Sequence, residues 1–358
     1  MYKVLFFITG IGWGDSIREW AIIKELQKKE KLEIKIAGYK TSYNFFKNKI
    51  PIFKIRGFDI VSPRFRFEFL SFMRKNAILP LTWNAQIKKL QKELKNFKPD
   101  LIITDFEPLG ALFAKKTKTK FIEIFGVEPK SFNEFVKQKK TDFFTNLQII
   151  YLKKLYDFGN KYGKAVVIST FQKTRNFARF KFINPIVRKA GKKRTEEGIV
   201  VILGGSSFGA AMGKHLAKVL PEINEKFLIF GWPKRKRIKN CYFFPATENV
   251  LHYLKNSSGV ISLAGYSTIS EALVFKKPLL VFPIPNHIEQ AYNAWLLKKK
   301  KLAMVKEFKS IDEKILEQTI REFIRKKEDL KKRVRKIKIK GNGAEQAAKI
   351  IFDILKSD

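Results

Sequence analysis

GVISLAGYSTISEALVFKKPLLVFPIPNHIEQAYNA, residues 259–294, is the most telling stretch of the chain. Two short apolar runs, GVISLAG (259–265) and KPLLVFPI (277–284), each end in a turn of small residues or proline and hand over to a helical pattern. Strand, helix, strand, helix is the unit of a parallel sheet wound by helices. Toward the N-terminus, GIVVILGG (198–205), KFLIFGW (226–232) and NCYFFPA (240–246) continue the series. Before them, residues 171–197 are basic, hold Asn184-Pro185 and Gly191, and show little periodicity, so they read as a linker. An earlier series precedes it: KVLFFITG (3–10), LEIKIAGY (32–39), PIFKI (51–55), DLIITD (100–105), KFIEIFG (120–126) and AVVIST (165–170), with helical stretches such as IREWAIIKELQKK between. The expected class is α/β, with two Rossmann-like domains facing across a cleft. Their expected spans are 1–170 and 198–341, with the linker at 171–197 and a C-terminal helix at 342–358 whose packing partner the pattern leaves open.

At 358 residues the chain is long for one core, and 45% apolar residues suffice to fill two. Its one cysteine, Cys241, excludes an internal disulfide and any Cys/His zinc pattern, as suits a reducing compartment. VLFFITG is too short for a secretory leader, and no run reaches the ~18 apolar residues of a membrane span. A cytoplasmic location is expected. Lys and Arg number 73 against 33 Asp and Glu, a formal charge of +40. Such a field draws nucleic acid, anionic lipid or phosphorylated substrates. Lysine-rich surfaces also arise from base composition and heat adaptation, so charge alone assigns no function.

Three strand-to-helix turns carry candidate chemistry. In ITGIGWGDSIREW (8–20), Gly10, Gly12 and Gly14 precede Asp15 and Arg18. The spacing is not the G-x-G-x-x-G of a dinucleotide site, and Glu33 lies within its strand rather than after it. The glycines let a ligand approach the backbone, while Asp15 reads either as a helix cap or as a reactive acid. In VILGGSSFGAAMGKHL (201–216), Gly204-Gly205-Ser206-Ser207 can cradle a phosphate or a sugar, although the Walker A spacing fails. In the opening segment, Gly265 and Ser267 start a helix whose N-terminus favours an anion, with Glu271 one turn in. His287, Glu289, Gln290 and Asn293 follow Pro285 and offer donors and acceptors to neighbouring hydroxyls. The plainer reading makes Glu271 and Glu289 surface helix residues. RFRFEFLSFMRKN (64–76) interleaves cations with aromatics, which fits an anionic membrane surface. It equally fits Phe65, Phe67 and Phe69 packed into a core on period two. Without an RRM, KH or zinc-finger signature, nucleic acid is not an expected partner.

G-Y-S-T-x-x-E-A, K-P-L-L-V-x-P and E-Q-x-x-N-A resemble the donor-binding half of GT-B glycosyltransferases. The likeness is greatest to MurG-like enzymes, which put N-acetylglucosamine on a lipid-linked acceptor, and to their archaeal relatives. GGSSFG (204–209) is similar to that family's GGSQGA turn, and Asn184-Pro185-Ile186-Val187-Arg188 to its N-P-V-R segment. The likeness is strongest over 183–305 and thinner in the first half, where it rests on the glycine loop with Arg18 and on KPDLIITDFEP (98–108). It implies GT-B architecture and a UDP-sugar donor. Gly265, Tyr266, Ser267 and Thr268 would wrap the diphosphate, Glu271 would hold the ribose, and Glu289 and Gln290 would contact the sugar. Ser206 and Arg188 would lie near the phosphates, and the base near Phe244 and Pro245. Gly10, Gly12, Gly14 and Arg18 would form the acceptor loop. No DxD motif is present, so the resemblance implies no metal and no cofactor beyond the co-substrate.

One position departs from the pattern. The family's histidine after the third glycine is replaced by Asp15, and His215, His252 and His287 all lie in the second half. An inverting transfer needs a base beside the attacking hydroxyl. Asp15 is the first candidate, with Asp105 and Glu107 as rivals. The expected activity is transfer of a hexose or N-acetylhexosamine to a lipid-linked or other cytoplasmic acceptor, with 64–76 on the inner face of the plasma membrane. The alternatives are a nucleotide-sugar hydrolase or epimerase of the same fold, or a non-catalytic binder of nucleotide-sugars or polyanions. Oligomeric state is not legible.

Overall fold

The computed structural model describes residues 1–29, 31–60, 62, 64–139, 141–189, 191 and 198–357. The chain divides into two compact units, each built on one seven-stranded sheet. The first unit comprises Met1–Ile60, Phe69–Ile186 and Asn342–Asp358; the second comprises Val61–Glu68 and Val187–Gly341.

The strands of the first unit are β1 (Tyr2–Ile8), β2 (Leu32–Gly38), β3 (Ile52–Lys54), β4 (Leu101–Asp105), β5 (Lys120–Phe125), β6 (Ala165–Ser169) and β7 (Phe180–Ile183). They pair in parallel in the order β3-β2-β1-β4-β5-β6-β7. Helices cover both faces, so central strands are apolar throughout: Val4 to Ile8 are wholly buried. The 171–197 stretch expected as a linker contributes β7, because Phe180–Ile183 completes the sheet edge beside β6. Positions 190 and 192–197 of that stretch lie outside the described residues. The C-terminal helix Gly343–Lys356 packs on the first unit. Ala347, Ala348 and Ile351 enter one core with Val4, Phe6 and Ile22, and Asn184 Nδ2 donates to Asn342 Oδ1 at 2.7 Å.

The second unit has β8 (Ile199–Ile202), β9 (Phe227–Phe230), β10 (Lys236–Ile238), β11 (Cys241–Phe244), β12 (Gly259–Leu263), β13 (Leu279–Phe282) and β14 (Met304–Val305). Their order is β10-β11-β9-β8-β12-β13-β14, parallel except for the β10–β11 hairpin. Phe65 and Phe67 are buried in this unit, as period-two packing predicts, but Phe69 breaks the pattern: it is half-buried and opens a helix of the first unit. Ser62 N donates to Ser207 Oγ at 3.2 Å, and Phe67 N to the Pro285 carbonyl at 2.9 Å. Residues 64–68 are thus a strap packed through Phe65 and Phe67, with Arg64 and Arg66 exposed. Helix Phe69–Asn76 in the first unit carries the exposed Leu70 and Met73 of the same stretch.

Candidate active site

In an open parallel sheet the ligand crevice lies outside the strand carboxyl ends, where the strand order reverses. The first unit reverses between β1 and β4, which brings the glycine loop beside Asp105 and Glu107. Of the three glycines, Gly10 is fixed by packing: a Cβ there would meet the Tyr39 carbonyl oxygen at 1.9 Å. Gly12 faces open space and is the N-cap of helix Trp13–Leu26, with no side chain capping it. Asp15 is therefore not the N-cap. It lies in the first turn, where a carboxylate favours the helix dipole.

Asp15 is tied to Arg18 Nη2 at 2.8 Å. Arg18 also grips Asp105 with two nitrogens, Nε on Oδ2 at 3.0 Å and Nη2 on Oδ1. Burial alone lowers the guanidinium's pKa, but Asp105 and then Asp15 outweigh it and raise the value above the ordinary one. Beside them Glu19 is fully buried, and as an ionised group neither of its oxygens has a hydrogen bond among the described residues. Burial, then the Asp105 charge, pushes its carboxyl well above the usual range. Two ionised carboxylates cannot hydrogen-bond, whereas a protonated Glu19 can donate to Asp105. The cluster joins Asp15 and Asp105, read from the sequence as rival bases, to Arg18 of the acceptor loop, and adds Glu19, which sequence reading missed. Its signal was an acid on the same helix face as the buried Ile22 and Ile23.

The three candidate bases differ in access. Asp105 is wholly buried and held by Arg18, while the Asp15 side chain is 25% exposed. Glu107 caps helix Pro108–Thr117 through Oε1, which accepts from Leu109 N at 3.2 Å; its Oε2 is buried without a partner among the described residues. Burial pushes Glu107 up to about 8. Phe106, before it, has φ +50°, a conformation costly for a bulky residue. Glu123, likewise pushed to about 8 by burial, lines the same narrow space with Thr104, Phe125 and Leu155. Next to the glycine loop, Tyr39 Oη and Thr9 Oγ1 are 2.9 Å apart. Tyr39 also borders a cavity of about 310 Å³ lined by Lys40, Lys54, Arg56, Asp59 and Lys75.

The second unit reverses between β8 and β12, so its two small-residue turns flank one crevice. After β8, Gly204 and Gly205 adopt φ +73° and +67°, where glycine is strongly preferred. Ser206 then caps helix Ser207–Val219, its Oγ accepting from Gly209 N at 3.3 Å. After β12, Gly265 is the N-cap of helix Tyr266–Val274 and, as glycine, brings no side chain of its own to that end. A Cβ at Gly265 would meet no atom within 4 Å. Ser267 and Thr268 stand half-exposed in the first turn.

Glu271 is 5% exposed and not a surface residue. Arg188 binds it through Nε at 3.1 Å and Nη2 at 3.0 Å, both on Oε1. Glu271 Oε2 has no hydrogen-bond partner among the described residues. Arg188 Nη1 donates to the Glu248 carbonyl at 2.7 Å, which fixes the fork. Burial raises the Glu271 carboxyl, and Arg188 opposes the rise. Gln290 accepts from Ile284 N at 3.1 Å, and Asn293 donates to the Ala264 carbonyl at 3.0 Å. These bonds hold the helix Ile288–Lys299, with Glu289 in its first turn, against the ends of β12 and β13. His287 is half-buried, and desolvation of its ring lowers its pKa to about 4. The Phe244 ring stacks on Phe230 at 5.0 Å, and its carbonyl accepts from the N–H groups of Gly231 and Trp232.

Two Rossmann-like units with these turns define a glycosyltransferase of GT-B fold. The chain belongs to Glycosyl transferase family 1, whose family model matches residues 2–324. It is 27% identical over 366 residues to an uncharacterized glycosyltransferase of Methanosarcina acetivorans, covering 90% of each chain. It is also 26% identical over 213 residues to a UDP-N-acetylglucosamine–N-acetylmuramyl-(pentapeptide) pyrophosphoryl-undecaprenol N-acetylglucosamine transferase of Thermotoga sp., covering 56% of this chain and 57% of that one. Among solved structures it is similar to the calicheamicin glycosyltransferase CalG4, with TM-score 0.67, 13% identity and coverage of 99% and 98%. Acinetobacter baumannii MurG gives TM-score 0.62 and 14% identity over 99% of this chain and all of that one.

Proposed function

We propose that the protein transfers a hexose or N-acetylhexosamine from a UDP-sugar to a lipid-linked or other anionic acceptor, with inversion and without a metal or further cofactor. The observation that carries this reading is Glu271. Arg188 occupies only its Oε1, and the remaining Oε2 is an acceptor for the ribose hydroxyls. The helix start at Gly265 supplies a positive pole for the diphosphate. The same pole stabilises charge on the departing nucleoside diphosphate, the role a metal plays elsewhere. Ser206, Glu289 and Gln290 serve the phosphates and the sugar, and the turn at Phe244 the base.

On the acceptor side, Asp15 takes the proton of the attacking hydroxyl. Its exposure favours it over Asp105 and Glu107, and Arg18 orients it. Gly12 leaves room for the hydroxyl. The cationic lining around Tyr39 suits an acceptor that bears phosphate. Exposed Leu70, Met73, Leu81 and Phe143, with Arg74 and Lys75 in the same unit, suit contact with an anionic bilayer. Among the described residues no helix is long and apolar enough to cross a membrane.

The test is incubation of the protein with radiolabelled UDP-N-acetylglucosamine or UDP-glucose and an anionic lipid extract. Label in the lipid fraction, insensitive to chelator and with the anomeric configuration inverted, supports the reading. Release of free sugar at the same rate with and without lipid contradicts it and favours a hydrolase.

A further inference from the structure

The strap at 64–68 does more than bury two phenylalanines. With Phe65 and Phe67 packed inward, Arg64 and Arg66 are exposed and border a cavity of about 430 Å³. Its other walls are Ala211, Lys214 and His215 of helix Ser207–Val219, and Lys309, Ser310 and Ile311. That volume lies within the ~300–1,000 Å³ range of small-molecule pockets. Four cations face it, and the lining contains no acid among the described residues. The nearby Glu313 is already engaged by His215 Nδ1 at 3.0 Å and Lys218 at 2.7 Å. Arg66 is held rather than loose: with its amide oxygen turned toward the guanidinium, Asn286 accepts from Nε at 2.9 Å and Nη2 at 3.2 Å. The strap is pinned on either side, by Ser62 on Ser207 and by Phe67 on Pro285.

Four like charges around a concave wall repel one another and focus a positive potential, which a multivalent anion relieves. Linked phosphoryl groups carry more charge and more acceptor oxygens than a single phosphate, and so answer more of the four cations at once. We propose that this cavity binds a small soluble oligophosphate, a molecule with two or more linked phosphoryl groups, at a site separate from the donor crevice. Arg64 and Arg66 grip it from the strap, and Lys214 and Lys309 from the opposite wall. None of these residues belongs to the donor or acceptor machinery proposed above, so the inference stands whatever the fate of that reading.

The experiment is calorimetric titration of the full chain with inorganic tripolyphosphate, with and without saturating UDP. The variants are Arg64→Ala/Arg66→Ala, Lys214→Gln/Lys309→Gln and, as a control for bulk charge, Lys338→Gln/Lys340→Gln. The lysine substitutions are at exposed positions, so they keep the test open even if the arginine pair disturbs the strap. Each cavity pair should weaken tripolyphosphate binding by about tenfold or more, the loss of one or more charge-assisted hydrogen bonds. The control should leave it within about twofold, and saturating UDP should not displace it. Equal losses in the control overturn the proposal in favour of diffuse charge. Mutually exclusive binding with UDP places the anion in the donor crevice and also overturns it. Vesicles of phosphatidic acid form the last arm: binding to them without binding of free tripolyphosphate makes the cavity a membrane contact, and the proposal fails.

Discussion

Replacing Glu107 by Gln should stabilise the protein at neutral and alkaline pH and leave acid stability nearly unchanged. Glu107 is 3% exposed, its Oε2 has no partner among the described residues, and burial raises its pKa from 4.5 to about 8. The folded state therefore keeps a proton that the unfolded chain gives up. Stability from that proton is fully present below the ordinary carboxyl range and is lost as pH rises toward about 8. The loss runs at about 1.4 kcal/mol per pH unit, reaching about 3 kcal/mol at pH 7 and about 5 kcal/mol above pH 8. Gln does not titrate, and its amide oxygen can still accept from Leu109 N. Urea unfolding of wild type and Glu107→Gln at a series of pH values should give curves that diverge from about pH 5 upward, with the variant the more stable. Parallel curves across that range would overturn the prediction, because they would mean that Glu107 reaches water or finds a partner.

Neighbouring groups give further outcomes. Arg18→Met leaves Asp105 buried without its cation and should cost about 3–5 kcal/mol in urea unfolding; Arg18→Lys should recover only part, since lysine lacks the fork that grips both oxygens. Asp15→Asn should lower kcat by about 10²–10⁴ while leaving UDP affinity unchanged, measured with the acceptor that the lipid assay yields. Gly209→Ala puts a Cβ 1.7 Å from the Leu203 carbonyl oxygen, so thermal unfolding should show a loss of about 1–3 kcal/mol from forced backbone shifts.

Much of the fold was legible because central parallel strands are buried on both faces. VLFF, LIIT and VVIL stand out as continuous apolar runs ended by turn residues. What escaped were edges and exchanges. Strand β7 (Phe180–Ile183) alternates buried ends with half-buried centres inside a basic stretch, and it becomes a strand only by pairing with β6. Strand β10 is three exposed or half-exposed residues completed by its hairpin partner. The passage of residues 64–68 into the second unit, and of the C-terminal helix into the first, depends on contacts far apart in sequence. No local pattern encodes them.

The candidate site divides the same way. Motif spacing placed Gly265 at an open helix start and Glu271 beside it. It gave no hint that Arg188, 83 residues earlier, would hold one carboxyl oxygen and leave the other. Asp105 and Asp15 were singled out as bases, yet Arg18 binds both, and one of them is buried completely. Charge pairing across a fold is set by three-dimensional proximity, and a one-dimensional pattern shows only which charges are available.

Whether Glu271 holds the donor is decided by calorimetric titration of UDP into wild type and Glu271→Ala, with Glu271→Gln as the variant that keeps shape. Wild type should bind in the micromolar to millimolar range usual for enzyme substrates. Glu271→Ala should lose about tenfold or more, the worth of a hydrogen bond to a charged acceptor. The circular dichroism of both variants should match wild type. No UDP binding by wild type, or equal binding by wild type and Glu271→Ala, would contradict the assignment of this carboxylate to the donor's ribose.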